Sequence, residues 1–174
     1  MRAAVAKSKR IYQPASSGNT FEYLTALRGS AIVPGVRLAP NPVPDLTVLT
    51  NYEAVAAKLD IDDFIDYMIV NFLAGNWDWS DKNLYATYYR AGNGKWRFHS
   101  WDAEHTFRTG TENFLTGNGN EVPRLGQPKG IHNRLKANPE YRLKFADHIR
   151  RHLFNNGALT VNGMSNAFHF RFQE

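Results

Sequence analysis

From residue 60 onward the chain alternates between helical and strand periodicities. Phe64, Ile65, Met68, Ile69 and Phe72 recur at i, i+1, i+4, i+5 and i+8, which predicts a helix with one apolar face. Asp60 or Asp62 can cap its start, and Gly75 stands where a left-handed C′ residue ends many helices. Just upstream, Val55 and Leu59 fall at helical spacing behind Asn51, a candidate cap. Residues 76–83 are polar apart from two tryptophans and read as a loop. Leu84 to Arg90, rich in Tyr and Thr, predicts a strand, and Lys95 to Trp101 predicts its partner, with Trp96, Phe98 and Ser100 on one face. Between them, Ala91-Gly92-Asn93-Gly94 is a hairpin turn, since Asn-Gly tolerates positive φ at both central positions.

The rest is helical with irregular joints. Residues 109–129 carry enough Gly and Pro to predict a long loop. Ile131 to Ala137 predicts a short helix. Asn138-Pro139-Glu140 opens another, with Asn as cap, Pro at N1 and an acid in the first turn. Its expected buried stripe is Leu143, Ala146, Ile149 and Leu153, and Gly157 is expected to stop it. Thr160 to Phe170 predicts a last helix. In residues 1–50 the order is weaker. Thr20 to Leu27 suits a short helix, but Pro34, Pro40, Pro42 and Pro44 make the following stretch irregular or extended. The expected organisation is an irregular Pro/Gly-rich segment at 1–50, a remnant of a larger domain, and a mainly helical domain with one hairpin at 51–174.

Composition narrows the function classes. The chain has 174 residues, room for one ordinary domain, and 43% hydrophobic residues, enough for a core. There is no cysteine, which excludes disulfides, thiol nucleophiles and Cys-ligated zinc, and leaves the compartment undetermined. The net charge is +5 without a dense Lys/Arg run, so nucleic acid is not an expected partner. No apolar run approaches the roughly 20 residues of a membrane helix. The basic start, Met1 to Arg10, has no apolar stretch behind it and is not read as a secretory signal.

The candidate chemistry lies in an ordered set. Asp78 and Asn83 stand five apart in the polar loop, the spacing of Asp and Asn in H-R-D-x-x-x-x-N, and Asp102 follows the hairpin where a kinase carries the Asp of D-F-G. Phosphoryl transfer needs a carboxylate to orient the attacking hydroxyl and accept its proton, and hard oxygen ligands for the metal on the phosphates. A hairpin fixes the separation of an Asn and an Asp at its two ends. Each residue also has a structural reading: Asp78 as a loop carboxylate bonded to backbone amides, Asn83 as a turn residue at strand entry, Asp102 as a cap beyond the second strand.

The wording around these residues resembles the CotH (spore coat protein H) kinase family. The resemblance is carried by Asp62-Asp-Phe-Ile-Asp-Tyr-Met-Ile-Val-Asn71, Ala74-Gly-Asn-Trp-Asp78, Asn83, Gly94-Lys-Trp-Arg-Phe98, Ser100-Trp-Asp-Ala-Glu104, Ile131-His-Asn-Arg-Leu135, Asn138-Pro-Glu-Tyr-Arg-Leu143 and Phe145-Ala-Asp147, over about residues 50–160. It implies an α+β fold, a protein-kinase-like C-lobe that is mainly helical with a hairpin after the catalytic loop. It implies Asp78 as catalytic base, Asn83 and Asp102 as groups that bind the nucleotide through its metal, and Glu104 as a further metal or supporting group. The cofactors would be ATP and Mg²⁺ or Mn²⁺. The reaction would be transfer of the γ-phosphoryl to Ser or Thr of a coat or surface protein, within a bacterial, spore-coat or cell-surface setting and often as part of a larger multidomain protein. Asn76 and Trp77 precede Asp78 where a kinase has His and Arg, and Ala103-Glu104 replaces Phe-Gly after Asp102. Lys7, Lys9 and the glycines at 18, 29 and 35 do not form a strand lysine with a phosphate cover, so the N-lobe is expected to be missing and the chain to be a fragment. The alternatives are a non-catalytic structural or coat-binding module and a metal-dependent phosphohydrolase.

Other features carry two readings. Trp77 and Trp79 suit stacking on adenine or peptide, or, more commonly, packing on the core. His99, His105 and His132 match no standard ligand spacing. His148 and His152 stand four apart, a spacing that chelates zinc, but with Asp147 and Arg150 beside them and no H-E-x-x-H they are read as structural. Arg134, Lys136, Arg142, Lys144, Arg150 and Arg151 form either a surface for an acidic substrate or a solvated helical face.

Overall fold

The computed structural model describes residues 44–77, 79, 83–88, 94–108 and 127–173. The expected helix at Thr20 to Leu27, the Asn-Gly turn and most of the 109–129 loop lie outside the described residues. Within them are helices α1 (Leu49–Ala56), α2 (Ile61–Leu73), α3 (Pro128–Leu135), α4 (Pro139–Leu153) and α5 (Val161–Phe172), and one two-stranded antiparallel sheet of β1 (Leu84–Tyr88) and β2 (Trp96–Ser100). The fold class is therefore α+β.

Helix α2 is the centre of the molecule. Asp60 caps it, its Oδ1 accepting from the Asp63 amide at 3.5 Å. Phe64, Ile65, Met68 and Ile69 are buried as the period predicts, with Phe72 half-buried against them. At its end the Gly75 amide donates to the Phe72 carbonyl (3.2 Å) and the Asn76 amide to the Asn71 carbonyl (3.1 Å). This is a Schellman closure, which needs a left-handed residue at C′, and Gly75 supplies it at φ 57°.

The sheet lies against this helix. Leu84 and Ala86 of β1 and Phe98 of β2 face the core, where Phe98 tilts on Phe64 at 5.4 Å and on Tyr67 at 5.8 Å between ring centroids. The α1–α2 joint also binds β2: the Trp96 amide donates to the Lys58 carbonyl (2.7 Å), and the Asp60 amide to the Trp96 carbonyl (3.0 Å). On the other side, His132 and Tyr141 of α3 and α4 pack on Phe72 and Phe145.

Three local expectations are corrected. Helix α1 starts at Leu49 behind Val48, so Asn51 is inside it and does not cap it; its side-chain amide donates instead to the Asp45 carbonyl at 2.8 Å. Helix α3 starts at Pro128, inside the expected loop, because proline fits the first turn, where no backbone donor is needed. Helix α4 turns a shifted face inward, keeping Ile149 and Leu153 of the expected stripe against the core. Leu143 and Ala146 are exposed, while Tyr141 and His148 are buried and Phe145, Ile149 and Leu153 half-buried. The apolar stripe at 143 and 146 was misleading because the aromatic and imidazole rings bury more surface and have polar partners waiting across the interface. Gly157 lies beyond the end of α4 at Leu153, where a Cβ would collide with the carbonyls of Arg151 and His152.

Candidate functional site

The strand register builds the candidate site. Leu84 pairs with Ser100, so Asn83 and Trp101 come next across the open end of the hairpin, and Asp102 follows. The Trp101 amide donates to the Asn83 carbonyl at 3.0 Å. The Asn83 side-chain amide donates to the Asp102 carbonyl at 3.2 Å. That orients the carboxamide: its nitrogen is turned to Asp102, and Oδ1, the atom a hard cation takes, is on its other side. Asn83 (φ 54°) and Asp102 (φ 50°) are both left-handed, a conformation for which Asn and Asp are the most tolerant residues after glycine. The two sequence candidates are thus brought together, with side chains leaving the hairpin end from unusual backbone.

Two backbone bonds dock the segment beyond Asp102 against the helix–loop junction. The Trp77 amide donates to the His105 carbonyl (3.1 Å), and the Phe107 amide to the Ala74 carbonyl (2.7 Å). Phe107 is itself left-handed at φ 50°, which is strained for a bulky residue. The chain on either side of Asp102 is therefore held to Asn83 at one point and to the approach to Asp78 at another. Asp78 lies outside the described residues; its neighbours are Trp77, half exposed under the Arg108 guanidinium at 5.5 Å, and Trp79, fully buried. Trp79 takes the core role, with Tyr67 and Phe72 edge-on to it at 5.7 and 5.6 Å. Glu104 is exposed, and its carboxylate stands 3.5 Å from the His105 ring.

Sequence reasoning missed the polar network beneath this junction. Asn71, buried in the last turn of α2, donates to the Tyr67 carbonyl (2.8 Å) and to the Ser100 hydroxyl (3.2 Å). Asn76, also buried, donates to Asn71 Oδ1 at 2.9 Å. Helix end, loop start and strand end are joined by three small polar side chains. Asn76 Oδ1 is buried and has no hydrogen-bond partner among the described residues. The available signal was an Asn on the apolar side of α2, which has to be satisfied there. Near the other end of α2, Asp63 is pushed above the usual carboxylate range, chiefly by burial.

Half of the basic set is occupied with the fold. Arg142 donates to the Lys136 and Ala137 carbonyls that follow α3, Arg134 to the Pro44 carbonyl, and Lys144 to Asp62. Of the histidines, His99 meets the Thr87 hydroxyl at 2.8 Å and His132 meets the Tyr141 hydroxyl at 2.7 Å.

No curated protein and no solved structure matches this chain. The family model described as CotH kinase protein matches residues 46–166, which span every described helix and strand except the end of α5. On that match, which covers well over half of its length, the chain belongs to the CotH kinase protein family.

Proposed function

We propose that this chain carries the chemistry loop of an atypical protein kinase with a kinase-like C-lobe. Asn83 Oδ1 and the Asp102 carboxylate would hold Mg²⁺ or Mn²⁺ on the phosphates of ATP, with Glu104 as a further oxygen donor close in sequence. Asp78 would orient the acceptor Ser or Thr hydroxyl and take its proton. The metal, when bound, supplies charge neutralisation at the transferring phosphoryl group. The residues suit such an ion: an amide oxygen and carboxylates are the hard donors it takes. The observation that carries the reading is the pairing of Asn83 with Asp102 at the hairpin end, through a 3.2 Å bond between two left-handed residues. It supports the role because the two groups must converge on one ion, and a two-stranded hairpin keeps their backbones in register. The acceptor would be a coat or surface protein, by likeness to the family.

The test is phosphate transfer from γ-labelled ATP to a serine-rich acceptor protein with Mg²⁺, using the chain and its Asp78→Asn and Asp102→Ala variants. Labelling should fall by about 100-fold or more in each variant, the scale of a lost base or metal ligand. Equal labelling in the variants overturns the assignment. Absence of both transfer and Mg²⁺-dependent ATP binding would favour a non-catalytic coat-binding module.

A further inference from the structure

The contact between α2 and α4 holds a second constellation that shares no residue with the hairpin site. Asp66, half-exposed on α2, directs Oδ1 at two histidines of α4. His148 Nδ1 is 2.6 Å from it and His152 Nε2 is 3.0 Å. The carboxylate lies 82 residues before the first histidine, so only the packing of the two helices assembles the set. Among the described residues, this is the one group of three His or acidic side chains with ligand atoms all within 4.8 Å of one another.

We propose that Asp66, His148 and His152 form a binding site for a divalent transition-metal ion of the Zn²⁺ class. Two imidazole nitrogens and one carboxylate are the donors of a three-ligand zinc site whose fourth position is left to water. Ca²⁺ and Mg²⁺ require more oxygen donors than this set holds. Tetrahedral ligands at about 2.1 Å from zinc stand roughly 3.4 Å apart. The two Asp66 contacts are shorter than that by less than 1 Å, so a rotation of the half-exposed carboxylate makes room for the ion. His148 and His152 are one helical turn apart, with ring centroids 6.0 Å from each other, the arrangement an i, i+4 pair uses to chelate.

The surroundings support a ligand role for His148. Its side chain is only 7% exposed, so both ring nitrogens need partners. While Nδ1 faces Asp66, Nε2 stands 3.5 Å from Asp62 Oδ1, and Asp62 is held by Lys144 at 2.9 Å. A carboxylate behind the second nitrogen of a metal-bound histidine fixes its tautomer and strengthens its donor atom. The more open His152 and Asp66 give the ion a path from solvent. Bound there, it would clip α4 to α2, the helix that leads into the loop of Asp78.

The experiment is titration of metal-stripped chain with Zn²⁺ by calorimetry, and with Co²⁺ by visible absorption. One ion should bind, Co²⁺ should show the intense bands of a tetrahedral centre, and Zn²⁺ should raise Tm. Asp66→Asn and His152→Ala should each weaken Zn²⁺ by more than about 100-fold, and Asp62→Asn by about 10- to 100-fold. His152 is the chosen target because replacing the buried His148 risks unfolding; circular dichroism verifies each variant's fold. Asp102→Ala should leave Zn²⁺ affinity unchanged, which separates this site from the hairpin. Absence of binding at micromolar Zn²⁺, or binding that folded His152→Ala retains, overturns the proposal.

Discussion

His132 should make this protein acid-sensitive well above the usual carboxylate range. Its ring is 6% exposed and packed among Phe72, Tyr141 and Phe145, with centroids 5.5, 5.6 and 5.0 Å away. Burial, aided by the nearby Lys136 charge, pushes its pKa down from 6.5 to about 4. The Tyr141 phenol is pushed upward, chiefly by burial, so it stays protonated across this range and meets Nδ1 of the neutral ring at 2.7 Å. Because the folded ring binds its proton more weakly than the unfolded one, the unfolded chain holds more protons between pH 6.5 and 4. Stability from this group is complete above pH 6.5 and is lost as the pH falls through that window. The shift corresponds to about 3 kcal/mol, at about 1.4 kcal/mol per pKa unit, with about 2 kcal/mol already lost at pH 5. The control is His132→Phe/Tyr141→Phe, which removes both polar partners and keeps the ring packing. Urea unfolding followed by tryptophan fluorescence at pH 7.5, 6, 5 and 4.5 gives each stability curve. The carboxylates titrate in both proteins, so the difference between curves isolates the pair. Curves that stay parallel to within about 0.5 kcal/mol from pH 7.5 to 4.5 would refute the reasoning.

Two further outcomes follow from the packing and the polar network. Phe64→Ala should cost about 3–5 kcal/mol in urea unfolding, since Phe64 is fully buried between α2 and the sheet; a loss under 1 kcal/mol would show that the hairpin is not packed on that helix. Asn71→Ala should cost about 1–3 kcal/mol by leaving the buried Asn76 amide without its acceptor, and hydrogen exchange at the Asn76 and Trp77 amides should accelerate; unchanged exchange would mean the network does not hold the loop.

Helix α2, a capping aspartate at its start, its Gly75 stop and the strand pairing were legible from residues 60–100 alone, because each rests on local rules: an i, i+4 apolar period, a capping carboxylate, a left-handed glycine and the alternation of two short strands. The pairing of Asn83 with Asp102 follows from that hairpin, which is why the candidate site was partly readable. The inner face of α4 was legible only at Ile149 and Leu153. An isolated pattern ranks Leu143 above His148, whereas the packed protein exposes the leucine and buries the imidazole, since Asp66 and Asp62 await it on α2. The same holds for Asn71, Asn76 and Ser100, whose side chains bond to one another across 29 residues of chain. Local periodicity determined which segments fold and how they end. Partners for buried polar atoms lie far away in sequence, and only the tertiary packing decided which of them meet.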